Sequence, residues 1–371
     1  MLLTVNTGSS SVRLAVFASE LKRFADARYP DAGGAAPRLR AFLHERGVRD
    51  VGAVAHRVVH GGAKLIRPCV VDGEVEAEIE RLASLAPLHN PVALAWIRAC
   101  REVLGNDVTQ VAVFDTAFYA HLPERARRYA LPRALCEKHG LRRYGFHGLA
   151  HEAMWRRWRA LRPELKDGGR VISLQLGAGC SITAVEHGHP IDTSMGFTPL
   201  EGLVMATRSG DVDPGLLTFL QRADTLTSDQ LEHLLTHESG LHGLAGEGDM
   251  QALLARDDPD ARLAVDVYCY RARKYIGAYF AALGGVDAIL FGGGVGEHAA
   301  PIRSKILADL ESLGIVLDEA ANQTAVGAEA RISRDDSPVA VWVIPVDEAQ
   351  VLARAALALV AEKTIGQGAP A

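Results

Sequence analysis

Cysteine is sparse and scattered: five residues among 371, Cys69, Cys100, Cys136, Cys180 and Cys269, with no C-x-x-C pair. That excludes a disulfide scaffold and a cysteine zinc site, and points to a reducing, cytoplasmic setting. An excess of positive charge is missing too. Forty Lys and Arg stand against 45 Asp and Glu, a formal net charge of −5, so no overall field draws the chain to nucleic acid or to an anionic membrane. Membrane-length apolar runs are lacking: Tyr275 to Gly296 comes nearest, with Asp287 its only charge, and Gly284-Gly285 divides it into the end of a buried helix and a buried strand. Asn6, a serine run and Arg13 interrupt Met1 to Phe17 before a signal-peptide core can form. The P-loop pattern G-x-x-x-x-G-K-[ST] is absent, and Gly292-Gly293-Gly294-Val295-Gly296-Glu297 lacks dinucleotide-fingerprint spacing.

What is present is ample apolar material, 48% of residues, in a chain of about two and a half typical domain lengths. β-rich runs at Leu2–Val5, Arg13–Phe17, Ala53–Val59, Val111–Phe114, Val171–Leu176, Ile182–Glu186, Ala288–Phe291 and Val339–Ile344 alternate with helical patterns at Leu94–Val103, Leu149–Leu161, Ser228–Leu235, Asp249–Ala255, Ala261–Leu283, Pro301–Leu310 and Glu348–Ala361. The class is α/β. Asp213-Pro214-Gly215 and Ser333–Pro338 read as turns, Lys22 to Pro37 as a surface excursion, and Gly366 to Ala371 as a frayed tail. Val5-Asn6-Thr7-Gly8-Ser9-Ser10 followed by Leu14-Ala15-Val16 matches Leu174-Gln175-Leu176-Gly177-Ala178-Gly179 followed by Thr183-Ala184-Val185 at constant offset. Either these are two unrelated hairpins, or a duplicated domain sets two such turns across a cleft, each offering backbone N–H groups to an anion.

Charged residues embedded in apolar sequence need partners. Arg57 lies in a strand that opens into Gly61-Gly62, and Arg208 in Thr207-Arg208-Ser209-Gly210-Asp211. Each either pairs with a nearby Asp or offers its fork to a phosphoryl group or carboxylate. Asp115, just past a strand's carboxyl end, either caps the next segment or positions magnesium, and Glu348 either begins a helix or reaches the same ion. His89 and His147 lie in turns beside apolar residues, where histidine commonly satisfies a carbonyl. His56 and His60 have the i, i+4 spacing of a zinc pair, but Val58-Val59 and the glycines after it favour a strand. The glycines from Gly292 bring backbone close to a ligand at a sheet's carboxyl end.

In order and together, Asn6–Ser11, His56–Gly62, Ala86–Pro91, Val113–Ala117, Tyr144–Gly148, Thr193–Gly202 (TSMGFTPLEG), Thr207–Pro214 and Ile344–Glu348 resemble the acetate kinase family over almost the whole chain. The resemblance implies two duplicated ribonuclease H-like domains of the actin-like ATPase fold around a central cleft, residues 1–118 plus 350–371 and residues 119–349. It implies transfer of the γ-phosphoryl group of ATP to acetate or propionate, giving an acyl phosphate such as acetyl phosphate and ADP, with Mg2+, in a cytoplasmic homodimer. On the family pattern Arg57, Asp115, His147 and Arg208 are catalytic positions, and Asn6 and Glu348 belong to the magnesium. Val59, Leu88, His89, Phe146 and Pro199 are substrate positions. Gly177, Ala178, Gly179 and Asp249 serve the nucleotide, with Gly292, Gly293, Gly294, Val295 and Gly296. Departures cluster on the nucleotide side: Gln175 and Ala178 in the phosphate hairpin, Gln251 after Asp249, and His298 after Glu297. They leave two alternatives in view: a carboxylate kinase with another donor such as pyrophosphate, and a slow nucleotide or acyl-phosphate sensor.

Overall fold

Every residue of β1 (Leu2–Thr7) is buried, so this strand lies inside a sheet. The computed structural model describes residues 1–8, 11–30 and 33–367. Ser9 and Ser10 of the first turn, residues 31–32 of the expected excursion and residues 368–371 of the expected frayed tail lie outside them. The chain divides into two compact units, Met1–Ala120 with Phe146–Ala153 and Asp347–Ala371, and His121–Gly145 with Met154–Val346.

In the first unit β1 is joined by β2 (Val12–Phe17), β3 (Arg23–Tyr29), β4 (Ala53–Val58), β5 (Cys69–Val70) and β6 (Thr109–Phe114), in the order β3-β2-β1-β4-β6-β5. The second unit holds β7 (Arg170–Leu176), β8 (Cys180–Glu186), β9 (His189–Thr193), β10 (Ala288–Gly292), β11 (Ala330–Arg331) and β12 (Ala340–Val343), in the order β11-β12-β10-β7-β8-β9. Read from the other end, the second sheet repeats the first strand for strand. The sense repeats too: hairpins pair antiparallel at β1/β2, β2/β3, β7/β8 and β8/β9, while β1/β4, β4/β6, β7/β10 and β10/β12 are parallel. The two hairpins are therefore copies. Their offset is not constant, because Thr7 pairs with Val12 whereas Leu176 pairs with Cys180, so the second turn is one residue shorter.

One face of the first sheet packs Leu3, Val5, Leu14 and Val16 against Leu39, Phe42, Trp96 and Cys100 from helices Ala35–Glu45 and Asn90–Leu104. The other packs Leu2, Ala53, Ala55, Val111 and Val113 against Leu149 and against Val351, Leu352 and Ala356 of the last helix, Glu348–Gln367. Three sequence expectations are corrected. Lys22 to Pro37 is no simple excursion: it supplies β3 and the start of helix Ala35–Glu45, and β3 is a charged edge strand that alternates exposed and half-buried residues, which dilutes its apolar signal. Asp213-Pro214-Gly215 is not a free turn but the start of helix Pro214–Ala223, with the Asp213 carboxylate accepting from the Gly215 amide at 2.8 Å. Tyr119, Ala120, Phe146–Ala153 and Asp347–Ala349 group with the first unit rather than with residues 119–349, because Leu149 packs in that unit's core.

His56, in β4, is wholly buried, with its Nε2 2.7 Å from Gln110 Oε1 on β6. Burial pushes its pKa down to about 4, and that of buried His151 to about 3. Protonation therefore favours the unfolded chain. Stability is full above about pH 6.5 and is lost as pH falls, by about 1.4 kcal/mol per pH unit for each such histidine until its folded pKa is reached. Denaturant midpoints between pH 7 and 5 should fall more shallowly in His56→Gln than in the parent; equal slopes would remove His56 from this account.

Candidate active site

The alternation of a strand sends every second side chain to one face. On β1 the row Leu2, Thr4, Asn6 continues the face that carries Leu2; on β4 the row is Ala53, Ala55, Arg57; on β6 it is Val111, Val113 and then Asp115, immediately past the strand. The small apolar members of these rows face the last helix. Their polar ends therefore gather at the carboxyl edges of three adjacent parallel strands, where Glu348 opens that helix. The cluster is continuous. Arg57 Nη2 donates to Asp115 Oδ2 at 2.7 Å and its Nε lies 3.3 and 3.2 Å from Oδ1 and Oδ2. Arg57 Nη1 donates to Asn6 Oδ1 at 3.2 Å and stands 3.6 Å from Glu348 Oε2, to which Asn6 Nδ2 donates at 2.6 Å.

Burial raises the Asp115 carboxyl, with the Arg57 charge pulling against it. For Arg57, burial opposes the charge, but Asp115 and Glu348 more than offset it and hold the guanidinium above its ordinary pKa. Arg57 thus has the nearby Asp partner, and that partner is itself a predicted site residue. Asp115 does not cap the next turn; its carboxylate accepts the Leu149 amide at the start of helix Gly148–Leu161. This approach requires glycine, since a Cβ on Gly148 would lie 1.9 Å from the Asp115 carbonyl oxygen. His147, just before it, is half-buried and holds φ 56, a left-handed conformation that is strained for a non-glycine residue. The donors of the cluster are hard oxygens, two carboxylates and an amide, a set that suits Mg2+ when phosphates and water supply its remaining ligands. Among the described residues no group of three or more His, Cys, Asp or Glu side chains is arranged to hold a metal ion.

Beyond β4, buried Asn90 pins the turn that follows Val59: its Oδ1 accepts from the His60 amide at 3.1 Å and its Nδ2 donates to the His60 carbonyl at 3.0 Å. In the P-L-H-N-P stretch it is Asn90, next to the expected substrate residue His89, that holds this turn. Val59 and Phe146 are buried, His89 is half-buried, and Leu88 is 45% exposed. The His60 and Phe146 rings meet edge to face at 5.6 Å.

In the second unit, register identifies counterparts of the cluster. Leu2 pairs with Ala53 and Ala53 with Thr109, as Val171 pairs with Ala288 and Ala288 with Ala340. Asn6, Arg57 and Asp115 then correspond to Gln175, Gly292 and Val346. Charge in one copy is replaced by small and apolar residues in the other. Gly292 and Gly293 are packed, a Cβ on the first meeting Met154 Sδ at 2.6 Å and one on the second the Leu176 carbonyl at 2.6 Å, while Gly294 faces open space. Glu297 Oε1 accepts from the Gly293 and Val346 amides at 2.9 and 3.1 Å, tying the turn through Val295 and Gly296 to the end of the sheet. In the hairpin, Gly177 N–H donates to Gly179 O at 3.1 Å, exposed Ala178 accepts from the Ala206 amide at 3.1 Å, and the Cys180 thiol donates to Gly177 O at 3.2 Å. Asp249 caps helix Met250–Leu254 by accepting from Ala252 N at 2.9 Å.

Arg208 contrasts with Arg57. Its Nη1 donates to the Pro199 carbonyl at 2.9 Å and lies 3.6 Å from Met205 Sδ. Among the described residues no Asp or Glu lies within ion-pair reach of it. Burial lowers its pKa, with Cys180 opposing; a guanidinium nevertheless stays charged at neutral pH. Asp211, the acid nearest in sequence, pairs instead with Arg271 at 3.5 Å and accepts from Tyr275 Oη at 2.7 Å.

Two copies of one mixed six-stranded sheet, one ending in an acid–arginine cluster and the other in glycine-rich turns, with an arginine in the second unit that has no acid partner among the described residues, define a duplicated actin-like α/β phosphotransferase. The chain belongs to the acetokinase family, whose model matches residues 35–354. It is 49% identical over 313 residues to the acetate kinase of Chloroherpeton thalassium, covering 83% of this chain and 75% of that one. Among solved structures, Porphyromonas gingivalis acetate kinase superposes with a TM-score of 0.89 at 37% identity, covering 97% of this chain and 99% of that one. A propionate kinase from Francisella tularensis gives 0.88 at 32% identity, covering 96% and 98%. The protein is therefore a kinase with a carboxyl group as acceptor, and a kinase acting on ATP implies a divalent metal. No described helix is long and apolar enough to cross a membrane.

Proposed function

We propose that this protein transfers the γ-phosphoryl group of ATP to acetate or propionate, reversibly, giving ADP and an acyl phosphate. Acetate and propionate are the acids named for its relatives. The observation that carries the reading is Arg208, a largely buried guanidinium with a carbonyl partner and no acid among the described residues. A cation so placed favours an anion, and a transferring phosphoryl group spreads charge over three equatorial oxygens.

An oxygen of the carboxylate forms the new P–O bond as the bond from phosphorus to the β,γ-bridging oxygen breaks, and ADP leaves with that electron pair. No proton has to move, so the residues act by placement and charge. Arg208 compensates charge on the moving group, and Arg57, held by Asp115 and Asn6, presents a fixed fork to the same chemistry. His147 is assigned as a further donor to that group. Val59, Leu88, His89, Phe146 and Pro199 are assigned to the acid, and Gly177 to Gly179, Asp249 and Gly292 to Gly296 to the nucleotide. Mg2+, when bound through Asn6, Asp115 and Glu348, supplies charge neutralisation at the donor phosphates. A cytoplasmic homodimer is the setting carried over from the family pattern.

The test is hydroxamate trapping of acyl phosphate with acetate, propionate and butyrate against ATP, GTP and pyrophosphate. Acyl phosphate should form with ATP, disappear when EDTA removes the divalent ion, and return with Mg2+. Because one methylene is worth about 1–3 kcal/mol in an apolar pocket, acetate and propionate should differ by no more than about 200-fold in kcat/KM. Formation with pyrophosphate alone would move the donor assignment, a reading that Gln175, Ala178, Gln251 and His298 keep in play. Nucleotide binding without turnover would overturn the kinase in favour of a sensor.

A further inference from the structure

Thr193–Gly202 is the longest of the family-like motifs in the chain, and within it Pro199 alone is assigned to the acid. Its one charged member, Glu201, is half-buried at the centre of a network. Arg143 Nη2 donates to Glu201 Oε1 at 2.6 Å, and Tyr129 Oη makes a short hydrogen bond to Oε2. The same tyrosine oxygen accepts from the Phe197 amide at 2.9 Å. Arg143 is itself fixed on backbone, donating from Nε to Ala126 O at 3.2 Å and from Nη1 to Ser194 O at 3.3 Å, and the Tyr144 amide donates to Gly196 O at 2.9 Å. The carboxylate and the phenol lie directly on Gly196: a Cβ there would sit 1.7 Å from Glu201 Oε2 and 2.0 Å from Tyr129 Oη.

Gly196 and Glu201 are thus the two ends of one short loop, closed on itself by a carboxylate, a phenol and a guanidinium. Between them lies Pro199, whose carbonyl accepts Arg208 Nη1. Among the described residues no carboxylate orients Arg208, so the place of that carbonyl decides where its charged head lies. We propose that Glu201, clamped by Arg143 and Tyr129, is a positioning residue for Arg208, acting through the Pro199 carbonyl. Burial works against the Arg143 charge, but Glu201 outweighs it and holds the arginine above its ordinary pKa. The Arg143 guanidinium therefore keeps its charge at neutral pH.

The inference rests on the role assigned to Arg208 above, and a double-mutant cycle separates the two. Glu201→Gln should lower kcat by about 10²-fold, the scale of a misplacement of an ångström or so, with the nucleotide KM changed less than about 3-fold. In an Arg208→Ala background the same substitution should have almost no further effect on kcat, because the group it positions is gone. Tyr129→Phe removes the bonds to Glu201 and the Phe197 amide while leaving the ion pair. It should act in the same direction, more weakly, with the same loss of effect in the Arg208→Ala background, and it carries the test should Glu201→Gln fail to fold. Effects that multiply in the double variants, or an unchanged kcat in both single variants, would overturn the positioning role. Full activity in Arg208→Ala alone would instead overturn the role of Arg208 and the inference with it.

Discussion

Arg57→Ala should cost activity and stability together. The guanidinium is 11% exposed and its partner Asp115 1% exposed, so removal leaves a carboxylate in a dry site whose remaining neighbours include a second acid, Glu348. Breaking a buried pair by removing one partner destabilises by about 3–5 kcal/mol, because the remaining charge is uncompensated. Asp115 can escape that cost by taking up a proton, so the deficit should shrink as pH falls and grow as it rises. Activity should fall by about 10³-fold or more, the scale of an arginine that compensates charge during phosphoryl transfer. Urea midpoints and hydroxamate-trapped product measure the two losses. A stable variant with near-parent turnover would show the cluster to be neither a structural nor a catalytic unit.

Arg208→Ala should lose activity on the same scale while leaving stability unchanged within about 1 kcal/mol, or slightly raised. In contrast to Arg57, this cation has among the described residues a carbonyl and a thioether against it and no acid, and burying charge without a counter-charge opposes folding. An anion bound there offsets that cost, so inorganic phosphate should raise the melting temperature of the parent and raise it less in the variant. A loss of several kcal/mol in Arg208→Ala would make the residue structural and remove the observation on which the proposed function stands. Two arginines with the same catalytic consequence and opposite stability consequences are separable in one pair of melts.

The strands around the cluster were readable because their apolar runs are short and bounded, and β1, β4, β6, β7 and β10 lie close to the expected segments. The edge strand β3 was not, because solvent on one side replaces the hydrophobic signal with Arg23, Asp26 and Arg28. Helix Pro214–Ala223 was hidden by an Asp-Pro-Gly start, which serves a turn and a capped helix equally well. The hairpin repeat pointed to a duplication, and strand order shows that it extends to both whole sheets.

The sequence by itself determined the candidate residues, their strand ends and the family, because side-chain alternation and short motifs are local properties of the chain. Only the tertiary structure decided that Arg57 has an acid partner and that Arg208, among the described residues, has a carbonyl instead. Nothing local marks Asn6, Arg57, Asp115 and Glu348 as neighbours; they meet because parallel register and sheet order bring the ends of β1, β4 and β6 to the start of the last helix. Nor does proximity along the chain predict pairing, since Asp211, three residues from Arg208, is already engaged by Arg271 and Tyr275. An ion pair is a property of distance in space, and distance between remote residues is set only when the sheets assemble.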